Sequence, residues 1–192
     1  GRAQQHYGKD VISLKKPSDF SRLMGYAGGH RVFTYASLAL SAVSALMALL
    51  PFLYIWRILR DVLAAAPDYT QAVNIPHYGW MAVLFAVLSY LIYVCALLCS
   101  HLSAFRVATK LRLAVTKHLA ELPLGFTERF GSGQLRKIIQ ESTGAAETYL
   151  AHQLPDQAGA MATPAGLLVL LFAFDWRLGL LCLVPVGIAF IF

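Results

Sequence analysis

The sequence predicts an all-α, polytopic membrane protein, and three observations carry that expectation. The 192 residues are 58% hydrophobic and only 14% charged, where a soluble domain carries about 25%. Four stretches contain no Asp, Glu, Lys or Arg: Val32–Trp56, Tyr78–Phe105, Gln157–Phe174 and Leu178–Phe192. A spanning helix needs roughly 17–25 apolar residues, and the first three stretches reach that length. The third observation is the partition of basic residues. Thirteen lie before the first stretch or between the second and third, and three lie in the other two connections.

Basic residues near span ends set orientation. Arg2, Lys9, Lys15, Lys16, Arg22 and Arg31 precede span one, and Arg106, Lys110, Arg112, Lys117, Arg129, Arg136 and Lys137 separate spans two and three. The N-terminus and the 106–156 segment are therefore expected in the cytoplasm. The 57–77 loop and the Asp175-Trp176 turn are expected outside. The first apolar stretch is too long, and begins too late, for a cleaved leader. The last stretch is still apolar at Ile191–Phe192, and Gly1-Arg2 lacks a Met. Both ends lead us to expect a trimmed chain that stops inside span four.

The elements follow in order. Residues 1–31 are expected as a cytoplasmic N-terminus. There "PSDFSRLMGYAGG" reads as an elbow helix on the inner leaflet with Phe20, Leu23, Met24 and Tyr26 toward lipid, or as a lead-in holding one short helix. Span one (32–60) contains "ASLALSAVSALMA", whose small residues allow close helix packing. Pro51 marks a bend. Tyr54, Trp56 and Arg57 close the span as an interfacial belt, or as a cation and rings that hold an anionic or aromatic ligand.

Span two with its extension (78–121) carries His101 in its inner part, either a packing histidine or a group lining a cavity. Beyond it, Val107, Leu111, Ala114, Val115 and His118 form a helical stripe. Residues 122–133 form a turn. Span three with its extension (134–174) opens after Ser132, a candidate N-cap, with a stripe of Leu135, Ile138, Ile139, Ser142, Ala146, Tyr149 and Leu150. His152, Pro155 and Asp156 stand where this helix enters the membrane. Pro155 has no N–H and kinks a helix. An acidic residue beside an apolar span is costly unless paired or wet, which makes Asp156 a candidate functional residue. Pro164 marks a second bend. Residues 177–192 begin span four. Cys95, Cys99 and Cys182 all lie in apolar stretches as small hydrophobes, and no metal-ligand set is read.

A long cytoplasmic helical hairpin, the tip "LPLGFTERFGSGQLRKI" and the short outer "DWRLGLL" together resemble the transmembrane domain of ABC exporters of the MsbA-like, type IV fold. The matching positions are Leu122, Pro123, Leu124, Phe126, Glu128, Arg129, Gly133, Leu135, Trp176, Arg177, Leu178 and Leu180; Thr127 stands where the family usually has a second Phe. The motifs "GSGQLRKI", "ETYLAHQLPD" and "YIWRIL" look like the branch of half-transporters related to bacterial siderophore transporters, some members of which import.

The resemblance implies six spans per half-transporter, a second half in a homo- or heterodimer, and a C-terminal nucleotide-binding domain. The 192 residues contain no G-x-x-x-x-G-K-[ST] loop, the phosphate cradle of such a domain. No catalytic residue, cofactor site or metal site is therefore assigned to this chain, and ATP and Mg are expected only in the full-length protein. The implied function is ATP-driven movement of a small molecule, siderophore-like or hydrophobic, across the bacterial inner membrane by alternating access. Phe126, Thr127, Glu128, Arg129 and Phe130 would form the first coupling helix. Phe126 and Phe130 would share a face and fill a groove on the nucleotide-binding domain, with Glu128 and Arg129 at its rim; the alternative is an ordinary hairpin tip. His101, Tyr54, Arg57, His152 and Asp156 are the candidate substrate-cavity residues.

Two other membrane readings compete: a secondary transporter and a standalone scaffold without ATPase. Secondary transporters place charges or broken helices at the midplane, and the three complete spans lack such charges. The abrupt apolar end disfavours a standalone scaffold. The spans exclude a soluble nucleic-acid binder.

Overall fold

A computed structural model of the chain describes residues 19–67, 73–123 and 131–191. Among the described residues there is no strand, and the order is α1 (Asp19–Ala27), a 3-10 turn (Gly28–His30), α2 (Arg31–Met47), α3 (Leu50–Ala65), α4 (Ile75–Ala120), α5 (Ser132–Thr148), a π-helical turn (Tyr149–Gln153), α6 (Leu154–Phe174) and α7 (Trp176–Ile191). Three helical runs are long and apolar enough to cross a membrane: Leu23–Ala65, Ile75–Ala120 and Ser132–Phe174. The fold is the all-α, polytopic membrane architecture that the uncharged stretches predict.

Helix lengths explain the long hairpin. The 46 residues of α4 rise about 69 Å at 1.5 Å per residue, against a hydrocarbon core of about 30 Å. More than half of that length therefore exceeds what is needed to cross the hydrocarbon core. The α5–α6 run returns beside it over 43 residues. The residues from 124 to 130 lie outside those described, so the tip enters only through its flanks. On the far flank Gly131 has φ 73°, a left-handed backbone that glycine adopts without a Cβ penalty. Gly131 takes the N-cap position, and Ser132, expected to cap the helix, is its first residue instead.

Span one is broken. α2 ends at Met47 and α3 begins at Leu50 with Pro51 in its first turn. Pro51 has no N–H to offer the carbonyl four residues back, and the break falls there. α6 runs on through Pro164; the interruption in span three is the π turn just before Pro155. At the other end, the Asp175 carboxylate accepts the Arg177 N–H at 2.9 Å. That bond fastens the tight turn into α7.

The interior is small and partly polar, as membrane helix interfaces are. Met24, Ala27, Ala104, Val107, Leu150, Ala151 and Leu154 form its apolar core, with Phe20, Leu23, Leu38 and Tyr149 packed against it. Met24, expected to face lipid, is turned inward because α1 lies against α4. Gly28 has φ 56°, a left-handed backbone that glycine adopts without a Cβ penalty. On the hairpin, Ile138 is exposed, and the α5 side chain that is fully buried is Thr143. Large apolar side chains such as Phe52, Trp80, Leu113 and Val169 face outward.

Candidate functional site

The site is built on a stripe of hydroxyls. Thr34, Ser37, Ser41 and Ser44 recur along one face of α2, and all four are buried. A hydroxyl left unpaired in hydrocarbon is costly, and each of these has a partner. Thr34 Oγ1 lies 2.6 Å from Ser103 Oγ on α4. Ser37 donates to Thr34 O at 2.8 Å, Ser41 to Pro155 O at 2.6 Å and Ser44 to Ser89 O at 2.8 Å. The stripe thus ties α2 to both α4 and the start of α6.

At that junction the backbone is irregular. Pro155 cannot supply the amide that Ala151 O would receive in a regular helix. Ser100 Oγ on α4 donates to that carbonyl at 2.8 Å. The Leu154 amide reaches back to Tyr149 O, the longer hydrogen bond of a π turn, and such turns concentrate at functional sites.

Three of the five cavity candidates meet here. The rings of His101 and His152 stand edge to face with centroids 4.8 Å apart, and Phe105 flanks His101 at 5.7 Å. Asp156, one turn after His152, accepts a hydrogen bond from the Tyr93 hydroxyl at 3.1 Å. A cavity of about 200 Å³ opens beside this pair, lined by Ser41, Ser44, Ala45, Tyr93, Asp156, Gly159, Ala160 and Thr163.

Tyr54 and Arg57 belong to a second cluster. Tyr54 stacks on Phe85 at 5.7 Å, and the Arg57 guanidinium lies 5.8 Å from the Tyr54 ring and 6.0 Å from Tyr78. Arg60 covers Trp56 at 5.1 Å, and Trp56 packs on Phe174 at 4.7 Å. Phe85 and His101 are separated along α4 by about 24 Å of helical rise. The Tyr54–Arg57 cluster and the His101–His152 pair therefore sit at opposite ends of the span, and Tyr93, which bonds Asp156, stands midway between them.

The projecting hairpin holds a third group. Arg112 on α4 donates through Nε to Thr143 Oγ1 at 3.2 Å and pairs through Nη2 with Glu147 at 3.4 Å on α5. Beyond this clamp, toward the tip, a cavity of about 570 Å³ is bordered by Thr116, Leu119, Leu135 and Ile139 among others. Phe126, Thr127, Glu128, Arg129 and Phe130 lie outside the described residues. Among the described residues no three His, Cys, Asp or Glu side chains come together as a metal site.

Residues 34–192 match the family model described as ABC transporter transmembrane region. The chain belongs to that family. This ABC transporter transmembrane region is 32% identical over 151 residues to the mycobactin import ATP-binding/permease protein IrtA of Mycolicibacterium smegmatis, a match covering 77% of this chain and 17% of that protein. The corresponding IrtA of Mycolicibacterium thermoresistibile is 31% identical over 147 residues, 77% of this chain and 16% of the relative. The ATP-dependent lipid A-core flippase of Idiomarina loihiensis is 34% identical over 176 residues, 89% of this chain and 29% of the relative. The chain thus spans less than a third of the length of each of these relatives.

Several residues of the ABC transmembrane site escape a reading of the sequence. Tyr93 is one aromatic among many in span two. Ser41 reads as one of the packing residues of span one and Ser100 carries no local signal; their carbonyl partners are set only by tertiary contact. Arg112 counts in the sequence as one more basic residue of the extension, and Thr143 carries no signal beyond its place on α5.

Proposed function

We propose that the chain is the membrane half of an ATP-driven pump that moves a siderophore-like or hydrophobic small molecule across the bacterial inner membrane by alternating access. The observation that carries this reading is the clamped hairpin: α4 and α5 project far beyond a bilayer and are held to one another by Arg112, Thr143 and Glu147. A hairpin so held transmits force as a lever, and its inner end runs into the π turn beside His101, His152 and Asp156. ATP with Mg binds in a nucleotide-binding domain elsewhere in the full-length protein. That domain grips the tip through Phe126, Thr127, Glu128, Arg129 and Phe130, and a second half-transporter completes the translocation path. The N-terminus and the hairpin face the cytoplasm, a reading that the partition of basic residues supports. The mycobactin-import and lipid A-core names of the relatives support an amphiphilic or chelating cargo.

The test is transport by the full-length protein in sealed proteoliposomes. ATP with Mg is expected to drive movement of a candidate cargo, vanadate to stop it, and ionophores that collapse proton and sodium gradients to leave it unchanged. Transport that follows the gradients and ignores ATP would overturn the reading in favour of a secondary transporter.

A further inference from the structure

The crevice between α2, α4 and α6 has a hydrogen-bonding character that its residue names alone do not reveal. Four hydroxyls line it, and each has committed its proton elsewhere: Ser41 to Pro155 O, Ser44 to Ser89 O, Thr163 to Gly159 O and Tyr93 to Asp156 Oδ1. A hydroxyl that has donated its proton still carries lone pairs, and an ionised carboxylate only accepts. The polar lining of the cavity therefore offers acceptors and one negative charge. No lining residue is Lys, Arg or His.

Asp156 takes part in no ion pair among the described residues and is exposed to the crevice side. A lone carboxylate at the edge of a membrane span calls for a countercharge or water. His152 precedes it by one turn, with the His101 ring against it; among the described residues neither forms an ion pair with the carboxylate. Gly159 keeps the space open, since a Cβ there would stand 3.3 Å from Ser41 Oγ. Ala45 and Ala160 add small apolar wall.

We propose that this crevice binds an ammonium group carried on an otherwise apolar compound. Its N–H donors meet the hydroxyl lone pairs, its charge meets Asp156, and about 200 Å³ holds a head group with the first carbons of its chain. The proposal rests on the transport reading and narrows its cargo to compounds with an amine.

The test uses the full-length protein in lipid nanodiscs without nucleotide, with 6-fluorohexylammonium as probe and fluorine line broadening as readout. Beyond empty nanodiscs, the ammonium is expected to broaden and the equivalent alcohol, 6-fluorohexanol, is not. Asp156→Asn, nearly isosteric, is expected to weaken binding at least tenfold. Gly159→Val, which fills the crevice and leaves the charge, is expected to weaken it as well. Leu113→Ala, on an exposed face of α4 away from the crevice, is expected to stay within threefold of wild type. Equal broadening in Asp156→Asn, or equal broadening by alcohol and ammonium, overturns the proposal. Full displacement by 10 mM sodium chloride but not by choline chloride also overturns it, in favour of a small inorganic cation. Because ATP is absent, failed binding leaves ATP-driven transport standing. Retained binding without ATP-driven transport would sink only the transport reading.

Discussion

Ser100 donates to the carbonyl of Ala151 over 2.8 Å, and that carbonyl is the one Pro155 leaves without a helical partner. One hydroxyl on α4 thereby completes the backbone of the helix opposite. Ser100→Ala would strand a buried carbonyl, at about 1–3 kcal/mol. The variant is expected to lose that stability and to show faster amide exchange confined to residues 149–154. Hydrogen exchange in nanodiscs checks both, and uniform exchange across α6 would contradict the clamp.

Thr34 and Ser103 form the second tie, 2.6 Å apart and both buried. A double-mutant cycle of Thr34→Val and Ser103→Ala is expected to give a coupling of about 0.6 kcal/mol, the usual worth of such bonds between membrane helices. Reversible unfolding in mixed micelles measures it. A coupling of zero would show that the hydroxyls pack without bonding.

Gly166 marks a close approach of span three to span one. An added Cβ would run into the side chains of Leu46 and Leu49 at the α2–α3 break. Overpacking costs about 1–3 kcal/mol, and Ala recovers about 0.8–1.0 kcal/mol of helix propensity over Gly, so Gly166→Ala is expected to lower the unfolding midpoint only modestly. Leu46→Ala in the same background is expected to restore part of it, because it removes the obstructing branch.

How much of this could be read beforehand divides along physical lines. Uncharged length shows in one dimension, so the spans of α2–α3, α4 and α6 were visible, and Pro51 marked the break in the first. The stripe from Thr34 to Ser44 read as small residues for close packing, which holds; the acceptors that bind those hydroxyls lie on other helices and have no local signal. Met24 read as lipid-facing because an amphipathic helix has the same pattern against a membrane as against α4. Asp156 stood out by its cost, but Tyr93, which bonds it, looked like any aromatic of an apolar span. The chemistry of Tyr54 and Arg57 groups them with His101, His152 and Asp156, but α4 places them at the opposite end from the two histidines, with Asp156 bonded midway at Tyr93.

Arg112 joins α4 to α5 through Thr143 and Glu147. A guanidinium reaches two partners at fixed angles, which an ammonium cannot reproduce. In the full-length protein, Arg112→Ala is expected to reduce transport severalfold per ATP hydrolysed, with Arg112→Lys in between. Parallel assays of phosphate release and cargo movement in proteoliposomes give the ratio. An unchanged ratio in both variants would remove the clamp from the coupling path.

The central claim is that the hairpin tip is the handle through which ATP moves the spans. Phosphate release and cargo transport, measured together on full-length wild type and on Phe126→Ala/Phe130→Ala in proteoliposomes, test it most directly. The account predicts that the variant still hydrolyses ATP while its transport and cargo-stimulated hydrolysis disappear. Transport and stimulation both surviving at wild-type levels would contradict it and reduce the tip to an ordinary helical turn.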